Sequence, residues 1–162
     1  MLGARLVVTM TTFLAISAVA AACGGGGESR LRTERWIEEA NGICKDEIAA
    51  LSELEVPALD SFDEDLTAAE LDEIAAYLER ELMIATETSA RFEELGLPPD
   101  DAGEIEKVLE QREEGRAAIE LAIEFARDGD AEQYVASYRE AVTAYDKAAR
   151  NAREFGLEDC GQ

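Results

Sequence analysis

Residues 131–155, AEQYVASYREAVTAYDKAARNAREF, decide how the rest of the chain is read. Ala131, Val135, Tyr138, Val142, Tyr145, Ala149 and Ala152 recur at alternating steps of four and three, the spacing that stacks side chains on one face of an α-helix. Tyr134, Ala141, Ala148 and Phe155 form a second row at intervals of seven. A helix with two apolar rows touches two neighbours, so the segment predicts a bundle. Asp130, three residues before Gln133, is a natural N-cap, and Gly156 supplies a stop that tolerates the left-handed C-cap conformation.

The same grammar holds toward the N-terminus. Thr67-Ala68-Ala69-Glu70 is a capping box with Leu66 and Leu71 at the staple positions. It opens a stretch in which Leu71, Ile74, Leu78, Leu82, Ala85, Phe92 and Leu95 follow helical spacing with one stutter. Asp101 with Glu104 offers a further N-cap, and Gly96 before Leu97-Pro98-Pro99 and Gly129 are further stops. No stretch alternates apolar and polar residues long enough to predict a strand.

Helices are therefore expected near 34–54, 68–95, 102–127 and 131–155, giving an all-α, antiparallel up-and-down four-helix bundle over residues 34–162. The connection between Leu54 and Leu66 is long for such a bundle. From Thr33 onward there are about 130 residues, enough to bury about two-thirds of their extended-chain surface in one domain.

The start of the chain has a different character. A single Arg5 precedes the uncharged run Leu6 to Ala22, which ends in small residues, the layout of a secretory signal over residues 1–22. A membrane-spanning reading has little support, since the run is barely long enough and no basic cluster follows it. Ala20-Ala21-Ala22-Cys23 resembles the lipobox of bacterial lipoproteins, with Ala20 where that motif prefers Leu. Cleavage by an ordinary signal peptidase is the alternative, and it would release a secreted protein. Cysteine arithmetic favours lipidation: the chain has three cysteines, and modifying Cys23 leaves Cys44 and Cys160 as an even pair in an oxidising compartment. Residues 23–33, including Gly24 to Gly27, then read as a Gly-rich flexible tether of about 17 Å r.m.s. reach to a membrane.

A Cys44–Cys160 bridge would close a loop of more than a hundred residues and contribute about 4–5 kcal/mol by chain entropy. It also constrains the architecture. Helices aligned end to end through their loops would leave Cys44 about 20 Å from the end of the fourth helix, at 1.5 Å per residue. The first helix must therefore slide toward that end, and the long connection must climb beside the second helix, with Val56, Ala58, Leu59 and Phe62 available to cover bare apolar surface. Ala40-Asn41-Gly42-Ile43-Cys44, the Leu-Gly-Leu-Pro-Pro turn at 95–99, Ala-Arg-Asp-Gly-Asp at 126–130 and Gly156-Leu157 with Cys160-Gly161 resemble a group of small actinobacterial lipoproteins or secreted helical proteins. The resemblance spans most of the mature chain, concerns structure, and implies no activity and no catalytic residue.

Composition excludes much chemistry. The chain has no histidine, which removes Ser-His-Asp and Cys-His arrangements and the Glu-x-x-His pairs of di-iron bundles. With the cysteines assigned, no thiol remains for zinc or nucleophilic attack. No phosphate-binding glycine motif occurs. The run DSFDEDLTAAEL at 60–71 places Phe62 at a ligand position of a calcium loop and lacks the turn glycine, and Asp128-Gly129-Asp130 reads equally well as a stop followed by an N-cap. No metal, cofactor or catalytic residue is expected, and the chain is read as a non-enzyme. The formal charge of −22 opposes binding to nucleic acid. Such acidity keeps a secreted chain soluble on its own account; a cationic protein or metal ion is the alternative use for it.

One interval stands out. From Glu110 to Arg116 no apolar side chain occurs, yet the seam interpolated through Ile105, Val108, Ile119 and Ala122 passes through Arg112 and Gly115. Antiparallel pairing sets these near Thr88, Ser89 and Tyr145, and the slid first helix brings Glu47 to the same level. A buried arginine needs a partner, and Glu47 is the candidate. The two readings are a local turn toward solvent at Gly115 and a polar layer of Glu47, Thr88, Ser89, Arg112 and Tyr145 that fixes register or binds a small ligand. The sequence accordingly predicts a monomeric, lipid-anchored extracytoplasmic domain held to the bacterial cell membrane. Its expected role is as an interaction module meeting a cationic protein partner, the alternative being a small-ligand-binding bundle.

Overall fold

A computed structural model describes residues 25–57, 65–98 and 100–161. Four helices follow in order, α1 (Gly25–Ser52), α2 (Ala68–Leu95), α3 (Ala102–Asp128) and α4 (Ala131–Phe155), and a short 3₁₀ turn (Asp159–Gly161) follows them. Among the described residues there is no strand, and no helix is long and apolar enough to cross a membrane. The signal segment 1–22, the lipidation site Cys23, and Ala58, Leu59 and Phe62 of the long connection lie outside the described residues.

The helix boundaries follow the caps. The Glu70 amide donates to the Thr67 hydroxyl at 3.4 Å while the Glu70 carboxylate accepts from the Thr67 amide at 2.7 Å, so two amide groups at the start of α2 are satisfied reciprocally. Hydrogen bonds from Thr67 hold the Glu70 carboxyl below its usual range. The Gln133 amide donates to Asp130 at 3.1 Å, capping α4 as expected. Asp101 departs from expectation. It sits in the left-handed region at φ 62°, makes no side-chain cap, and offers its carbonyl to the Glu104 amide at 3.0 Å. An aspartate tolerates that conformation better than most residues.

Helix α1 begins at Gly25 rather than near 34, so residues 25–33 are helical instead of a coiled tether. An Arg30–Glu34 ion pair at 2.9 Å, four residues apart, supports this extension in place of a cap. Arg30, Leu31 and Arg32 are exposed, and the buried face of α1 starts at Trp36.

The apolar side chains divide into two cores. At one end Trp36, Ala40, Ile43 and Cys44 of α1 pack with Phe92, Ile105, Val108, Ala152 and Leu157. The other core contains only α2, α3 and α4 among its buried residues, through Leu71, Ile74, Leu78, Ile119, Ala122, Tyr134, Val135 and Ala141. The reason is the slide of α1. Cys44 and Cys160 form a disulfide with Cα atoms 5.0 Å apart, joining the first helix to the C-terminus. The Trp36 indole N–H donates to the Gly96 carbonyl at 2.8 Å, and the Trp36 ring meets Phe155 edge-on at 6.2 Å. Asn41 completes the joint by accepting from the Asp159 amide at 3.0 Å and donating to the Gly156 carbonyl at 3.4 Å.

Helices α3 and α4 share the most extensive interface. Gln111 accepts from Asn151 at 2.8 Å and Gly115 lies against Tyr145, a register in which numbers rise on one helix as they fall on the other. Tyr134, Ala141 and Ala148 of the second row of α4 are buried, as are Val135 and Ala152 of the first row and Ser137 beside them. On the first row Val142 is 36% exposed, because α1 ends at Ser52 without a broad interface with α4. Val56 is 66% exposed and covers none of that surface.

Candidate functional site

Between the two cores lies a cavity of about 320 Å³ lined from all four helices. Its apolar walls include Leu51 of α1, Leu82 and Ala85 of α2, Leu109 and Ile119 of α3, and Ala149 of α4. Ile48 and Val142 also line it and are themselves exposed, so its mouth lies between α1 and α4. The cavity lies where α1 stops short: beyond Ser52 no helix among the described residues fills the fourth corner.

Arg112 and Glu47 meet inside it. The Arg112 Nη2 donates to Glu47 Oε1 at 2.6 Å, and the two side chains are only 14% and 11% exposed. The Arg112 guanidinium also stands 6.0 Å from the centre of the Phe92 ring. A cation this enclosed is tolerated because it has a charged hydrogen-bond partner and an aromatic face beside it. Gly115 is buried within α3, so the interval 110–116 keeps its seam toward the interior rather than turning out.

Tyr145 lines the same cavity, and burial raises its phenol to about 12, against the opposing pull of Arg112. Thr88 is buried, and the Ser89 hydroxyl turns back on its own helix to the Ala85 carbonyl at 3.0 Å. Neither Thr88 nor Ser89 lines the cavity. The structure therefore brings Glu47, Arg112 and Tyr145 together and leaves Thr88 and Ser89 in supporting positions on α2.

Glu81 is the residue that sequence reasoning missed. It lines the cavity from α2, and burial pushes its carboxyl above the usual range even though the Tyr77 hydroxyl donates to it at 2.5 Å. Tyr77 is raised in turn, first by its own burial and then by that bond. Tyr138 borders the cavity from α4 and is raised by burial and by the Glu81 charge. A signal for Glu81 was present: it stands three residues after Leu78 and four before Ala85, on the flank of the apolar stripe.

A glycine at 115 is what lets the Tyr145 ring reach its place. A Cβ there would lie 2.9–3.0 Å from three carbons of the ring. Gly115→Ala is expected to displace Tyr145 toward the cavity and to destabilise the domain by about 1–3 kcal/mol, as overpacking does, despite alanine's higher helix propensity. Thermal unfolding would detect this; an unchanged or raised midpoint would show that the ring has free room.

Among the described residues no group of three or more histidine, cysteine or acidic side chains has a metal-binding arrangement. The polar groups of the cavity can orient and hold a ligand. Comparison of the chain with family models, with curated proteins and with solved structures finds no match.

Proposed function

We propose that the protein is an extracytoplasmic ligand-binding bundle, anchored through lipidated Cys23 and taking a small molecule between its helices. The observation that carries this reading is the cavity itself: apolar walls from four helices enclose a few convergent polar groups, the combination that small-molecule sites use. The antiparallel up-and-down reading of the bundle gives that site a rigid frame, with the register held on one side by the disulfide. Lipid anchoring rests on the Ala20-Ala21-Ala22-Cys23 motif and on the pairing of the other two cysteines, and the actinobacterial resemblance supports the same location. The cavity favours this reading over the interaction module expected from surface charge alone, because exposed acids select no particular docking face.

Native mass spectrometry of the protein isolated from its native envelope tests the reading, with an Ala85→Phe variant in which the larger ring occupies the cavity. A discrete added mass on the natural protein that is absent from the variant is the expected result. Bare protein in both samples, with crosslinks to a basic protein instead, would replace this function with the interaction module.

A further inference from the structure

Resting on that reading, we infer that the ligand is an organic cation, an amine carried on an apolar body, whose ammonium group pairs with Glu81. The charges inside the cavity are unequal. Arg112 is already matched by Glu47 at 2.6 Å. Glu81 has only the neutral Tyr77 hydroxyl, and no lysine or arginine among the described residues forms an ion pair with it. A carboxylate in an apolar enclosure is costly unless a cation joins it, so an incoming ammonium would gain both the charge pair and relief of that cost.

Aromatic rings surround the same space. Tyr138 and Tyr145 reach it from α4 and Phe92 from the level of Arg112. Ring faces attract organic cations and repel carboxylates, so they discriminate in the same direction as Glu81. Asp146 lines the cavity from α4 and is exposed, and the whole chain carries −22, so the long-range field also draws cations and holds anions away. An anionic ligand would have to break the Arg112–Glu47 pair and sit among uncompensated acids. At about 320 Å³ the site is near the small end of ligand pockets, which suits one amine with one ring or a short chain.

The test is titration calorimetry on the full chain in nanodiscs of zwitterionic lipid, with empty discs as the blank. The probes are 2-phenylethylamine, the neutral 2-phenylethanol and the anionic 3-phenylpropanoate. The expected order is amine tightest and carboxylate weakest, with the amine losing about tenfold or more in Glu81→Gln, which keeps an acceptor for Tyr77. An amine that binds no better than the alcohol, or that ignores Glu81→Gln, would overturn the inference and leave the pocket reading standing. Tightest binding by 3-phenylpropanoate, lost in Arg112→Gln, would do the same.

Should Glu81→Gln fold poorly, a pH series on the natural protein reads the same point. Amine binding should weaken on acidification as Glu81 takes up its proton, in a field set by Glu47, Tyr77, Arg112, Tyr138, Tyr145 and Asp146. Binding that stays constant as Glu81 protonates would overturn the pairing. No binding of any probe, together with no added mass on the native protein, would remove the pocket reading as well.

Discussion

Replacing both Cys44 and Cys160 with alanine is expected to lower stability by about 5 kcal/mol, the chain-entropy value for a cross-link across 116 residues of sequence. For a chain of this size that is a fall of about 10–20 °C in the thermal midpoint. The native arrangement should persist, because Asn41, the Lys45–Asp159 pair at 3.2 Å and the Trp36 indole hold the same joint without the bridge. Both substitutions are made together so that no lone thiol is left to crosslink. A reducing agent supplies the control: it should bring the natural protein down to the level of the variant and leave the variant where it is. A variant that melts with the oxidised protein would mean that the hydrogen bonds alone fix the slide of α1.

Arg112→Leu is expected to cost about 2–3 kcal/mol, somewhat below the 3–5 kcal/mol seen when one partner of a fully buried pair is removed, because the cavity admits solvent to Glu47. The loss comes from the carboxylate left behind, and only in small part from the pairing itself. The combined Arg112→Leu, Glu47→Leu variant should therefore recover most of the stability, or exceed the natural protein, since leucines of similar reach would extend the apolar walls. Denaturant unfolding of the four members of this cycle gives the coupling between the two residues directly. Additive losses in the double variant would show that the pair is too well solvated to govern the interior.

Glu81 acts on stability with the opposite pH sense from a salt-bridged acid. Its folded carboxyl titrates above the unfolded value, so folding takes up a proton between the two. The stability it removes is fully expressed above the folded pKa and is regained as pH falls toward the unfolded pKa. Glu81→Gln should accordingly raise the melting temperature at neutral pH, and the advantage should shrink as the solution is acidified. Melting curves across that range check the sign.

Helices α2 and α4 were legible because their ends are written in side chains: Thr67 with Glu70, Asp130 with Gln133, and the glycines that stop them. The pairing of Arg112 with Glu47 was legible for a less local reason. A cysteine pair fixes how far α1 slides, and the slide fixes which acid stands beside an arginine on the apolar seam of α3. The start of α1 escaped prediction because the helix runs past its buried face, with the Arg30–Glu34 pair on the extension, where no packing pattern marks the boundary. Asp101 escaped because an aspartate before a helix has the same signature whether it caps with its side chain or turns with its backbone. Gln111, buried against Asn151, and Glu81, bonded to Tyr77, look like surface residues in sequence because their burial depends on which side chain of a neighbouring element stands opposite them.

The bond between Cys44 and Cys160 also decides where mechanical load can travel. Tension applied between the N-terminal side of Cys44 and the C-terminal side of Cys160 would enter along the first turns of α1, cross at the sulfurs and leave past Cys160. Helices α2, α3 and α4 would stay off the load path, enclosed in a covalent ring that pulling cannot lengthen. Such a load would strip the exposed first turns of α1 before it deformed the cavity walls.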